Sequence, residues 1–171
     1  HRRSYLQPMN DDADWTRLLA RVRACSACDL PLGPRPILSA SPTARLLITS
    51  QAPGRRAHEA GRTFADASGD RLRAWLGLTP DQFYDSTRVA IVPMGFCYPG
   101  TGKSGDLPPR PECAEHWRKQ LLALLPDIQL TLVIGQYAQA WHLDERQKDT
   151  LTATVKNWKE YWPRVLALPH P

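Results

Sequence analysis

No apolar run in this chain approaches the roughly 18 residues that a membrane-spanning helix needs. The first ten residues, His1 to Asn10, are polar and offer no apolar stretch for a signal peptide. Internal repeats and low-complexity segments are also missing, so solenoid, fibrous and largely disordered classes are excluded. Cysteine is scarce, with four among 171 residues. That is too few for a disulfide-stapled secreted scaffold, and a chain of this length can bury a core without staples. Neither sign of charge dominates: 22 Lys and Arg face 17 Asp and Glu, for a net charge of +5. The resulting pI of about 9.2 permits a nucleic-acid partner, because phosphates reward clustered Lys and Arg, without demanding one. These absences predict a monomeric protein of the cytoplasm with no membrane contact.

What is present is ordinary globular composition, 42% hydrophobic and 23% charged, over a length that suits one domain. Asp11, Asp12 and Asp14 supply carboxylates for a helix start. Trp15, Leu18, Leu19 and Val22 then recur at helical spacing, predicting a helix that ends near Cys25. Four prolines between Pro31 and Pro42 predict an irregular connection. Short β-branched apolar runs at Arg45–Ser50, Val89–Val92, Leu130–Ile134 and Val165–Leu168 read as buried strands. Helical patterns at Asp70–Leu78, Pro111–Leu125 and Leu151–Trp162 separate them. This alternation predicts an α/β fold with a parallel sheet covered on both faces. Residues 1–171 form a single domain in this reading, with the helix and CxxC segment of residues 1–44 packed on it.

Ligands of open parallel sheets collect at the carboxyl ends of the strands. Ser50-Gln51-Ala52-Pro53-Gly54, Pro93 to Pro111, Gly135-Gln136 and Pro169-His170-Pro171 follow the four strands, so a site is expected on that edge. The cysteines are arranged as a CxxC pair, Cys25 and Cys28, with Cys97 and Cys113 far downstream and fifteen residues between them. In a reducing compartment such a set reads as metal or cluster ligation before disulfide.

Taken in order, these residues resemble the uracil-DNA glycosylase superfamily, and within it the iron–sulfur branch called family 4. The likeness rests on Ala52-Pro53-Gly54 ending a strand, Gly61-Arg62-Thr63-Phe64, and Ser68-Gly69 leading into a helix. It continues through Cys97-Tyr98-Pro99-Gly100, Pro111-Glu112-Cys113, Gly135 and His170-Pro171. The resemblance implies a three-layer α/β/α sandwich around a four-stranded parallel sheet. It also implies a monofunctional enzyme that flips a deaminated base out of DNA and hydrolyses its N-glycosidic bond. Phe64 then occupies the stacking position, and His170 stabilises the leaving base. Ala52, Pro53 and Gly54 form the turn against substrate. The family pattern continues with a serine, a DNA-contacting loop and a final helix, which would follow Pro171.

Two departures stand out. Where family 4 has GEAPG, this chain has Ser50 and Gln51 before the APG turn. An amide cannot act as a general base, though it can hold a water. Glu59 and Asp66 are the nearest carboxylates along the chain, and Asp66, beside Phe64, is the preferred substitute. The family's base-reading asparagine corresponds to Pro93, which offers no side-chain donor and no N–H. Base readout is therefore expected from Met94 and Gly95.

The four cysteines match the family's ligand spacing, which implies a [4Fe–4S] cluster of structural role, with zinc or no metal as alternatives. Gly102-Lys103-Ser104 invites a P-loop reading, but the preceding glycine and the helix starting at the lysine are missing. A glycine-rich basic loop is the better reading. Lys103 and Arg110 there, with Arg55 and Arg56 beside the first turn, are expected to meet DNA phosphates. His58, His116 and His142 read as surface or capping residues, and Trp158, Tyr161 and Trp162 as core. Two other functions fit the same residues: a damage-binding protein without catalysis, and a glycosylase for a different lesion.

Overall fold

The computed structural model describes residues 11–171. The expectation for His1–Asn10 lies outside the described residues. Along the chain come α1 (Asp11–Arg23), β1 (Leu46–Thr49), α2 (Arg55–Ala60), α3 (Ala67–Leu76), α4 (Pro80–Phe83) and β2 (Val89–Ile91). A short hairpin follows, β3 (Thr101–Gly102) and β4 (Gly105–Asp106), then α5 (Pro111–Ala123), β5 (Leu130–Ile134), α6 (Gln136–Leu143), α7 (Leu151–Lys156) and β6 (Val165–Leu168).

The four main strands form one parallel sheet in the order β2-β1-β5-β6. Successive residues of a strand face opposite sides, and the burial follows. Leu47 packs with Trp15, Val22, Trp117 and Leu121 under α1 and α5. Its neighbour Ile48 packs with Leu72, Phe83 and Leu132 under α3 and α4. Val133 and Ala167 join Ala138 and Leu143 beneath α6. The result is a three-layer α/β/α sandwich. Leu47, Ile48 and Leu132 are almost wholly buried, each contributing about 1.5–3 kcal/mol from desolvation. The free edge of β2 is closed by the proline-rich segment: Ser39 exchanges both backbone hydrogen bonds with Ile91, at 3.0 and 2.7 Å.

The helix expected over Leu151–Trp162 stops at Lys156. Thr150 caps its start by accepting from the Ala153 N–H at 3.0 Å. Asn157 ends it, its side-chain amide donating to the Ala153 carbonyl at 2.8 Å, and a single 3₁₀ turn follows. Of the three aromatics assigned to core, Tyr161 is buried, whereas Trp158 and Trp162 are 39% and 50% exposed. The break in the helix turns their spacing off one face. At the other end of the sheet order, β1 connects to β2 on one side, and the chain then returns to β5 on the other. The switch point lies between the carboxyl ends of β1 and β5, where such sheets open a crevice. Among the described residues, no helix is long and apolar enough to cross a membrane.

Candidate active site and cysteine cavity

Gln51, the turn after it, Phe64, Asp66 and His170 all line one cavity of about 180 Å³ at the switch point. That volume equals roughly six waters of liquid, room for a single nucleobase ring. Gln51 follows β1, and its carbonyl accepts from the Gly95 N–H at 2.9 Å. His170 follows β6. Both side chains close over Gly135 at the end of β5, where a methyl group would lie 3.1 Å from His170 Nε2 and 3.3 Å from Gln51 Cγ.

Phe64 sits on a backbone of φ +58°, a left-handed conformation that costs a bulky residue about 1–3 kcal/mol. Its neighbours hold it there. Arg73 Nη1 donates to the Phe64 carbonyl at 3.2 Å, and the Tyr84 hydroxyl donates to the Thr63 carbonyl at 2.7 Å. Gly69 is the floor of the turn, since a methyl there would fall 1.8 Å from the Phe64 carbonyl oxygen. The ring meets buried Phe83 edge to face at 5.8 Å. Asp66 caps α3: its Oδ1 accepts from the Gly69 N–H at 3.0 Å and the Ser68 hydroxyl at 2.7 Å. Glu59 stays outside the cavity on α2, 3.2 Å from Arg55.

Met94 and Gly95 take no part in this cavity. Their N–H groups donate to Ser50 and Gln51 carbonyls, both at 2.9 Å, extending the β1–β2 pairing past the strand ends. Gly95 borders the cysteine cavity instead. The carbonyl of Pro93 is taken up from below by Arg118, whose Nη1 donates to it at 3.1 Å and to Val92 at 3.0 Å. Arg118 Nη2 donates to Thr49 Oγ1 and to His142 Nε2, each at 2.7 Å. This guanidinium is wholly buried; burial draws its pKa down to about 9, still charged at neutral pH. Burial first, and the Arg118 charge second, push His142 down to about 3. A guanidinium only donates, so His142 is a half-buried neutral acceptor held against Arg118, rather than the free surface or capping residue its lack of a motif suggested.

Cys25, Cys28, Cys97 and Cys113 line a second cavity, of about 360 Å³, and none is in a disulfide. Burial pushes Cys113 up to about 12 and Cys97 upward, and each is raised further by charge on the neighbouring thiols. Four sulfurs thus share one space. Among the described residues, no three cysteine, histidine or acidic side chains converge to hold a single metal ion.

Between Cys97 and Cys113 runs the β3–β4 hairpin, pairing Thr101 with Asp106 and turning at Lys103-Ser104. No helix starts at Lys103, which agrees with setting aside a P-loop. The hairpin brings in Asp106, a cavity residue that sequence reasoning missed. Thr63 and Ser68, named only within motifs, and Ile134, read only as the end of a strand, also line the cavity. Arg55, Arg56, Lys103 and Arg110 are exposed. Arg55 and Arg56 open α2 just after the cavity turn, Lys103 tips the hairpin, and Arg110 precedes α5 at the cysteine cavity.

A model of the Uracil DNA glycosylase superfamily matches residues 39–171. The chain belongs to that superfamily, whose members are DNA repair glycosylases acting on DNA.

Proposed function

We propose that this member of the uracil DNA glycosylase superfamily is a monofunctional uracil-DNA glycosylase of the iron–sulfur family 4 type, working as a cytoplasmic monomer. The observation that carries the reading is the convergence of Gln51, Phe64 and His170 on one nucleobase-sized cavity at the switch point. They come from loops after three different elements, and each has a separate task.

A uracil extruded from the duplex stacks on the ring of Phe64, whose strained backbone fixes the ring before substrate arrives. Stacking of this kind is worth about 1–3 kcal/mol per base. Gln51 holds the attacking water through its amide. As the bond between C1′ and N1 breaks, negative charge grows on the departing uracil, and His170 donates a hydrogen bond to it. Water oxygen bonds to C1′, leaving an abasic site and free base. Lysine does not line the cavity among the described residues, so no amine stands ready to form a Schiff base, which favours plain hydrolysis. Arg55, Arg56, Lys103 and Arg110 serve the phosphates on either side, positioning DNA without reading sequence.

Cys25, Cys28, Cys97 and Cys113 would hold the [4Fe–4S] cluster. Zinc asks for sulfurs about 3.8 Å apart, from Zn–S bonds of about 2.3 Å in a tetrahedron. The four thiols line one cavity of about 360 Å³, which has room for a polynuclear cluster. When bound, the cluster supplies a cross-link between the segment after α1 and the hairpin loop. An oligonucleotide panel tests the function: free base released from uracil-containing strands, and not from thymine- or hypoxanthine-containing ones, is the expected result. Release of hypoxanthine alone, or binding of damaged DNA without any base release, contradicts the uracil assignment.

A further inference from the structure

We infer that Asp106 is the catalytic carboxylate that takes the proton of the attacking water, the task that Gln51 cannot perform. The inference rests on the glycosylase reading above and deepens it.

Hydrolysis at C1′ needs a proton acceptor beside the water. Gln51 is an amide, and an amide is no base near neutral pH. Two carboxylates line the cavity, Asp66 and Asp106. Asp66 is committed to the start of α3, with Oδ1 accepting from both the Gly69 N–H and the Ser68 hydroxyl. Neutralising it would release two donors and loosen the turn that carries Phe64. Asp106 is differently placed. Its Oδ1 accepts from Thr101 Oγ1 at 3.2 Å, and that hydroxyl shares a hydrogen bond with buried Tyr98. This chain of hydroxyls aims the carboxylate while leaving Oδ2 open. Oδ2 lies 3.3 Å from where a methyl on Gly54 would stand, three residues beyond Gln51. The hairpin therefore lays a carboxylate against the same turn whose glutamine holds the water.

The step balances. Water oxygen forms the bond to C1′ and its proton passes to Asp106. The C1′–N1 electron pair leaves with uracil, which His170 stabilises by a hydrogen bond, and Asp106 then returns its proton to solvent. Asp106 sits on the exposed side of a two-residue strand, so its substitution leaves the sheet and core intact.

The test is single-turnover excision from a uracil oligonucleotide by wild type, Asp106→Asn, Asp106→Ala and Asp66→Asn. Affinity for the abasic product strand and thermal stability are measured alongside. Asp106→Asn and Asp106→Ala are expected to lose about 10²–10³-fold in rate with unchanged product affinity and unchanged Tm. Added formate, a small carboxylate that fits the space, is expected to restore at least about tenfold to Asp106→Ala. Asp66→Asn is expected to lower Tm as well as rate. Asp106 variants within about threefold of wild type overturn the inference alone. So does a rate loss that tracks lost affinity, or failure of formate to restore any rate. A wild type that releases no uracil overturns the glycosylase reading and this step together.

Discussion

Gln51 and His170, 119 positions apart in sequence, face each other across a single glycine. A methyl on Gly135 would stand 3.3 Å from Gln51 Cγ and 3.1 Å from His170 Nε2. Both distances are tighter than ordinary carbon contacts, and Gly135 itself has φ +88°. The end of β5 is thus kept bare so that side chains from the loops after β1 and β6 can close over it. In the proposed mechanism the water holder and the leaving-group stabiliser therefore share one platform.

Gly135→Ala is expected to strain the backbone by about 1–3 kcal/mol, because φ +88° with ψ 165° is open essentially to glycine alone, and to push the two side chains apart. Excision should fall by at least about tenfold, with a modest drop in Tm. Equal rates for the variant and wild type would show that the two side chains need not converge.

Phe64→Ala removes the stacking face but leaves Phe83 buried behind it. The expected loss is about 1–3 kcal/mol, or about 5- to 150-fold in kcat/KM, with a smaller loss in Phe64→Tyr. An unchanged kcat/KM in Phe64→Ala would remove the ring from substrate contact.

His142 makes stability depend on pH. Its folded pKa is about 3 against an ordinary 6.5, so between those values the unfolded chain binds a proton that the native one excludes. Stability should therefore fall as pH drops below about 6.5, by up to about 1.4 kcal/mol per unit from this group. Above that range the group has no effect. His142→Gln keeps an acceptor for Arg118 and should flatten the slope of urea-unfolding energy against pH by one proton. Parallel slopes for the two proteins would contradict a histidine held neutral against Arg118.

Protein purified without oxygen is expected to carry about four irons per chain, with brown colour. Cys25→Ser and Cys113→Ser should lose that iron and lower Tm, since the segment after α1 then loses its cross-link to the hairpin loop. One zinc per chain, or no metal at all, would contradict the cluster.

Much of the scaffold was legible because its signals are local. β5 and β6 fall on the expected runs, since four or five β-branched and aliphatic residues between turn formers have little else to become. α2 and α6 escaped notice because six or eight residues rich in alanine and polar groups show no clear 3.6 period. The short α4 did carry a readable cue, the capping box of Thr79 and Gln82. At the site, Gln51, Phe64, Asp66 and His170 could be named from motifs that lie beside strand ends. Asp106 could not. Its place depends on how a glycine-rich loop folds back as a hairpin, a tertiary outcome that no period or spacing announces. Arg118 and His142 were hidden for a similar reason: their meeting with Thr49 joins three distant elements, α5, α6 and β1.

In the proposed function, this cavity excises uracil. The most direct measurement is the single-turnover rate on single- and double-stranded uracil oligonucleotides, with alkali revealing abasic sites, for wild type beside Gln51→Ala and His170→Ala. Wild type is expected to give alkali-labile product, and both variants a marked drop with DNA binding retained. No abasic product from wild type on either strand form, or variants as fast as wild type, would contradict it.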